Sequence, residues 1–236
     1  MNVRTPAPLP SGVERAQAVR AGIRAEVFTV GWMFIEAAIA IGAGVASRSV
    51  LLVAFGIDSI IELVSGFVLL WRLSMEASGQ SLDRVARAER MAAWVVGIAL
   101  TFLSIYIIIS AGRGLLVGAR PEESPAGIGL AVAALFVMPV LARTKWRVAG
   151  QLNSASLQGD AACSMTCAAM ASTMLIGLLL NAALHWWWAE YLASLTFLYW
   201  LVPEARATLC AASERKGGCR CLHQGWSNSL RRTNPS

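Results

Sequence analysis

Long apolar blocks dominate this sequence, each close to the length of a membrane-crossing helix and separated from the next by a polar segment. Hydrophobic residues make up 56% of the chain and charged residues only 14%, whereas soluble domains are about 45–50% apolar and about 25% charged. A helix crosses the roughly 30 Å hydrocarbon core of a bilayer with about 20 residues. The sequence therefore predicts an all-α integral membrane protein, a bundle of six transmembrane helices in a lipid bilayer.

The predicted domain organisation follows the boundaries of these blocks. Residues 1–25 are predicted to form a cytoplasmic amino-terminal tail and residues 208–236 a short, disordered cytoplasmic tail, with the transmembrane domain between them at residues 26–207. The charged segment 143–147 is predicted to return the chain to water. The six spans are predicted at residues 27–46, 50–73, 91–110, 126–141 and 152–184, with a sixth ending near residue 202.

Lysine and arginine are unevenly distributed between the polar segments. If the amino terminus is cytoplasmic, 17 of the 20 basic residues lie on the cytoplasmic side, and only Arg48, Arg113 and Arg120 lie on the other. Because cytoplasmic segments carry the excess of positive charge, this bias predicts that both termini are cytoplasmic, in a plasma (inner) membrane. The basic residues form no stripe with interleaved aromatic residues, so no nucleic-acid partner is predicted.

Two carboxylates lie inside the second predicted span, in the segment FGIDSIIELVSG. Asp58 and Glu62 are four residues apart, which places both on one face of a helix. An ionisable side chain at the centre of a membrane helix costs about 2.5–3.5 kcal/mol on insertion scales, so such residues indicate function. A bound cation or a shared proton would relieve the repulsion between the two charges. The alternative is a polar patch satisfied by serine or threonine on neighbouring helices.

The fifth predicted span offers a second pair of ligand groups, in the segment SLQGDAACSMTCAAM. Cys163 and Cys167 share the four-residue spacing of the carboxylate pair. Counting about 1.5 Å per residue from the span ends gives the two pairs overlapping depths in the membrane. Two carboxylates and two thiols suit a four-coordinate ion. Because free cysteine also packs as a small hydrophobe, packing is the alternative role of the thiols.

Other residues with metal-binding or proton-carrying side chains have several candidate roles. Glu36, in the first span, is expected to carry a proton, to add a third carboxylate near the ion, or to be satisfied by packing. Asp160, one turn before Cys163, is expected to assist the metal, cap the fifth helix or approach the headgroups. Three residues with soft-ligand side chains also lie in the predicted carboxyl-terminal tail: Cys219, Cys221 and His223. The alternative is that these side chains have no role in metal binding.

These segments resemble the cation diffusion facilitator family of metal/proton antiporters. GIDSIIELVSGFVLLWRLS is similar to that family's second helix, which carries two ligands four residues apart, here Asp58 and Glu62. SLQGDAACSMTCAAMASTMLIGLLLNAA is similar to its fifth helix, in which an acidic residue precedes a His-x-x-x-Asp ligand pair. Cys163 and Cys167 stand at the positions of that pair. The resemblance covers residues 25–210 and includes the sixth segment, WWWAEYLASLTFLYWLVPEARATL.

The departures from the family pattern point to a divergent branch, similar to the transmembrane protein 163-like group. This branch lacks the family's cytoplasmic carboxyl-terminal domain, so the resemblance implies that a homodimer would form through transmembrane helices. Two thiols in place of histidine and aspartate favour softer ions, with zinc or cadmium preferred over manganese or magnesium.

Sequence and resemblance together predict a secondary transporter that moves a divalent transition-metal cation, zinc or a similar soft ion, by proton antiport. The ion is the substrate, and no cofactor is required. Carboxylates and thiols bind metal deprotonated, so metal binding exchanges protons. The alternative is a metal-binding membrane sensor or regulator that does not transport. An enzyme is not predicted, because the sequence contains no Ser/His/Asp set, Gly-rich phosphate loop or zincin helix.

Overall fold

A computed structural model describes residues 12–78, 83–152 and 154–213. These residues form helices and no strand, which confirms the predicted all-α bundle. The first five helices are long and apolar enough to cross a membrane. The sixth helix is of similar length but is not among these five. The helices are α1 (Gly12–Ser47), α2 (Val50–Ala77), α3 (Asp83–Val117), α4 (Pro125–Leu152), α5 (Ala155–Leu184) and α6 (Trp187–Ser213).

Several helices extend beyond the predicted spans. α1 begins within the predicted tail of residues 1–25, and α6 continues past Pro203 to Ser213. The predicted polar segment 143–147 is part of α4, which continues to Leu152; Arg143 and Arg147 are exposed, whereas Lys145 is completely buried. Two buried or partly buried carboxylates pair with this lysine and compensate for the loss of its hydration. The predicted tail ligands Cys219, Cys221 and His223 lie outside the described residues.

α2 lies at the centre of the bundle and packs against several of the other helices. It packs most extensively against α1, and α4 with α5 and α3 with α6 form the other close pairs. α2 also contacts α3, α5 and α6. The core includes Phe55 of α2 and Phe197 of α6, whose ring centroids are 6.3 Å apart. Side chains on the inner faces of α2 and α5 are therefore brought together within the bundle.

A polar network joins the helix ends on the side of the bundle where α5 ends. Glu190 of α6 is 1% exposed and accepts hydrogen bonds from Ser49 Oγ at 2.6 Å and from Asn181 Nδ2 at 2.7 Å. Asn181, on α5, also donates to the carbonyl oxygen of Pro121 at 3.3 Å. Because these groups belong to α5, α6, the loop before α4 and the residue preceding α2, the network fixes the relative positions of all four segments.

Close approach of α1 and α2 depends on a glycine in the middle of their contact. A Cβ atom at Gly56 would lie 2.6 Å from Ile41 Cγ1 and 3.0 Å from the backbone nitrogen of Ile41. We expect Gly56→Ala to lower the free energy of unfolding by about 1–3 kcal/mol, because the helices have to move apart. The measurement is the unfolding temperature of the purified protein in detergent micelles.

Gly42→Ala is the matched control for this prediction. Gly42 lies on α1, in the same hairpin, and a Cβ atom at this position would meet no atom of another helix within 4 Å. Alanine is favoured over glycine within a helix by about 1 kcal/mol, so this variant should unfold at the wild-type temperature or slightly above it. Equal unfolding temperatures for the two variants would contradict a steric requirement at Gly56.

Candidate metal centre

Three of the four predicted metal ligands converge between α2 and α5. The four-residue spacing places Asp58 and Glu62 on the face of α2 that meets Cys167 of α5, and the ligand atoms of these three residues lie within 4.8 Å of one another. Asp58 is 3% exposed and Cys167 is fully buried. Zinc–ligand bonds of about 2.0–2.3 Å separate tetrahedral ligand atoms by roughly 3.5 Å. Small side-chain movements would therefore bring these atoms around one ion.

Glu36 of α1 borders this cluster. Its Oε1 accepts a hydrogen bond from Ser59 Oγ at 3.1 Å and lies 4.0 Å from Cys167 Sγ. Glu36 is fully buried, and its Oε2 and the Oε2 of Glu62 are buried without a hydrogen-bond donor among the described residues. A buried acceptor without a donor is costly, so these two oxygens have unfilled capacity for a cation or a proton.

Cys163 has a different partner from the other predicted ligands. Its thiol lies 3.0 Å from Glu204 Oε1 of α6, in hydrogen-bonding geometry. The sequence did not predict a role for Glu204, because the sixth span was ended near residue 202, before Pro203. Since α6 continues through that proline, Glu204 enters the bundle and comes close enough to Asp58 and Glu62 for electrostatic interaction. The sequence signal that could have indicated Glu204 is a carboxylate within one helical turn of the end of an apolar block.

Asp160 is not part of the three-ligand cluster and belongs to a second group of charges. It contacts the ammonium of Lys145, which also lies 3.1 Å from Glu26 Oε2. The predicted capping role belongs instead to Ser154, whose side chain accepts a hydrogen bond from the Leu157 backbone N–H at the start of α5. Sequence reasoning missed Glu26, which lay at the predicted tail boundary, and Lys145, which lay in the predicted polar return.

Acidic side chains are concentrated at the centre of the bundle. Glu36, Asp58 and Glu62 are held together by α1 and α2, and within the described ranges no basic side chain forms an ion pair with any of them. Carboxylates this close together in a buried site cannot all be ionised unless a cation compensates them. The arrangement is therefore chemically suited to exchange a metal cation for protons.

The helical bundle and its buried carboxylate–thiol cluster are those of a multi-pass integral membrane protein with a candidate cation site. The family described as "Cation efflux transmembrane domain" matches residues 27–212, and the chain belongs to this family. This confirms the predicted resemblance to the cation diffusion facilitators.

A relative from Synechocystis sp., described as an uncharacterized transporter, is 26% identical over 172 residues. The matched region is 72% of this chain and 56% of the relative, so this chain spans little more than half of that protein's length.

The position of Glu204 predicts that its carboxylate supports metal binding. We expect Glu204→Gln to weaken zinc binding about 10- to 100-fold, the usual effect of removing a group that hydrogen-bonds to a metal ligand. The measurement is a competition titration of the purified protein against a zinc-binding dye. Glu190→Gln is the control. It also removes a buried carboxylate from α6, but Glu190 lies near the start of this helix, in the polar network with Ser49 and Asn181. Equal affinities for the two variants would exclude Glu204 from the site.

Proposed function

We propose that this protein is a secondary transporter that moves a divalent transition-metal cation, zinc or cadmium, across the membrane in exchange for protons. The observation that carries the proposal is the buried convergence of Asp58, Glu62 and Cys167 on two facing helices. Membership of the cation efflux family and the similarity to a protein described as a transporter support movement of the ion as well as its binding.

Asp58, Glu62, Cys163 and Cys167 are the proposed ligands of the transported ion. The first two and Cys167 are already close together, and Cys163 joins them after its thiol leaves Glu204. A thiol has to lose its proton to bind metal, and the 3.0 Å contact places a carboxylate acceptor beside Cys163 for that proton. Glu36, hydrogen-bonded by Ser59 and 4.0 Å from Cys167, is the second candidate carrier of exchanged protons.

Proton exchange follows from the chemistry of these ligands. Each carboxylate or thiol binds metal in its deprotonated form, so protons compete with the ion and metal binding weakens as pH falls. Metal bound on the side of higher pH is then released on the side of lower pH, where protons replace it. A vesicle with an acidic interior should therefore accumulate zinc while protons leave.

Removal of one central carboxylate tests transport directly. We expect Asp58→Asn to reduce zinc uptake at least tenfold in proteoliposomes that contain a zinc-sensitive dye and have an acidic interior, because the amide carries no charge to bind the ion. Glu123→Gln is the control, since Glu123 is an exposed loop carboxylate far along the sequence from the cluster. Uptake by Asp58→Asn at the wild-type rate would disprove the proposed site.

The same vesicles separate the proposal from its alternatives. Wild-type uptake that accelerates with an acidic interior and slows when an ionophore collapses the gradient supports antiport. Uptake that is indifferent to the gradient would contradict proton coupling. Stoichiometric zinc binding without uptake would contradict transport and favour a metal sensor.

The two thiols predict the ion preference of the transporter. We expect Cys163→Ser/Cys167→Ser to lower the affinity for cadmium at least tenfold more than the affinity for manganese, because thiolates prefer soft ions and hydroxyl oxygens do not. The measurement is a pair of binding titrations on each purified protein. Cys210→Ser on α6 is the control, because Cys210 is not among the proposed ligands. An unchanged cadmium-to-manganese ratio in the double variant would show that the thiols do not select the ion.

A further inference from the structure

A second buried charge cluster lies on the side of the metal centre toward the amino end of α5. Lys145 of α4 contacts Asp160 of α5, and its Nζ lies 3.1 Å from Glu26 Oε2 of α1. The side chains of Lys145 and Glu26 are completely buried, and that of Asp160 is 13% exposed. One ammonium group therefore bridges two carboxylates that belong to different helices.

This cluster is about one helical turn from the nearest proposed ligand on each helix, Glu62 on α2 and Cys163 on α5, and about two turns from Cys167. On α5, Asp160 precedes Cys163 by three residues. On α2, Gly66 follows Glu62 by four residues, and a Cβ atom at Gly66 would lie 2.9 Å from Glu26 Oε1. One helical turn advances about 5.4 Å. The metal centre and the Lys145 cluster are thus stacked along the same contact between α2 and α5.

The two carboxylates have more negative charge than one lysine can balance. With all three groups ionised, Glu26, Asp160 and Lys145 leave a net charge of about one negative unit in a buried position. Glu26 Oε1 is also buried without a hydrogen-bond donor among the described residues. Carboxylates from separate helices around a single cation have the arrangement of a carboxylate metal site, with an ammonium group in the place of the ion.

Apolar side chains close the bundle beyond this cluster. Around Gly22 of α1, the nearest side chains are those of Val148, Leu73 and Leu157, from α4, α2 and α5. These three residues are buried and belong to one hydrophobic cluster at this end of the bundle. An ion that moves along the α2–α5 contact between this end and the metal centre therefore has to pass the Lys145 cluster.

We propose that Glu26 and Asp160 form a second divalent-cation site, through which the transported metal passes, and that Lys145 is a tethered cation that fills this site when metal is absent. The ammonium and the metal compete for the same oxygens, so they exclude each other. Passage of the ion requires Lys145 to withdraw, and its return closes the route behind the ion. This inference rests on the proposed metal transport, but it concerns residues outside the central ligand set.

Removal of the tethered cation should uncover the second site. We expect the purified full chain to bind one cadmium ion and Lys145→Met to bind two, counted by equilibrium dialysis and metal analysis in detergent micelles. Arg147→Met is the matched control, because it removes a positive charge from an exposed position of α4 two residues away and should still bind one ion. One ion bound by folded Lys145→Met would overturn the proposal. No ion bound by the wild type would instead count against the central site.

If Lys145→Met fails to fold, a variant in which all three charged residues are replaced by neutral ones tests whether the metal passes through this cluster. Glu26→Gln/Lys145→Met/Asp160→Asn removes all three charges and leaves no unpaired carboxylate in this cluster. We expect this variant to bind one cadmium ion at the centre with wild-type affinity but to take up the ion into proteoliposomes at least tenfold more slowly. Wild-type uptake by the triple variant would show that the cluster only stabilises the fold and would overturn the proposal.

Discussion

Every carboxylate buried between membrane helices has to be compensated, and this bundle compensates its carboxylates in different ways. Glu190 is satisfied by neutral hydrogen-bond donors, and Asp160 is paired with Lys145. Asp58 and Glu62 lie against a thiol, and within the described ranges no basic side chain pairs with either of them. Since an uncompensated buried charge is more costly than a paired one, the centre between α2 and α5 is where a mobile cation contributes most.

α5 connects the centre to polar contacts at both of its ends. It carries Asp160 near its beginning, Cys167 among the central ligands and Asn181 in the polar network near its end. A helix advances about 1.5 Å per residue, so these contacts span roughly 31 Å along one rigid element. Tilting of α5 would therefore change the contacts at both ends while moving the ligand. Alternating access needs such a coupling between opening at one end and closing at the other.

The four-residue spacing predicted that Asp58 and Glu62 share one face of α2, as they do in the structure, and long-range pairing explains what sequence reasoning missed. The helical turn that relates Asp58 to Glu62 is contained in the sequence, and so is the apolar context that makes both residues unusual. Lys145 was assigned to water because hydropathy treats each charge alone, whereas its partners lie on other helices. Glu204 was missed because the predicted sixth span ends near residue 202, whereas packing within the bundle maintains α6 through Pro203 and beyond.

The proposed ligation by both thiols would change the charge balance of the centre as well as its ion preference. Asp58 and Glu62 with two thiolates would carry four negative charges, twice what a divalent ion neutralises. A buried excess of negative charge of this size is costly, so the protons released by the thiols have to remain nearby. The carboxylate of Glu204 lies beside Cys163 and can hold one of them. A centre with histidine in place of one thiol would need less compensation, because a neutral imidazole binds metal without adding a negative charge.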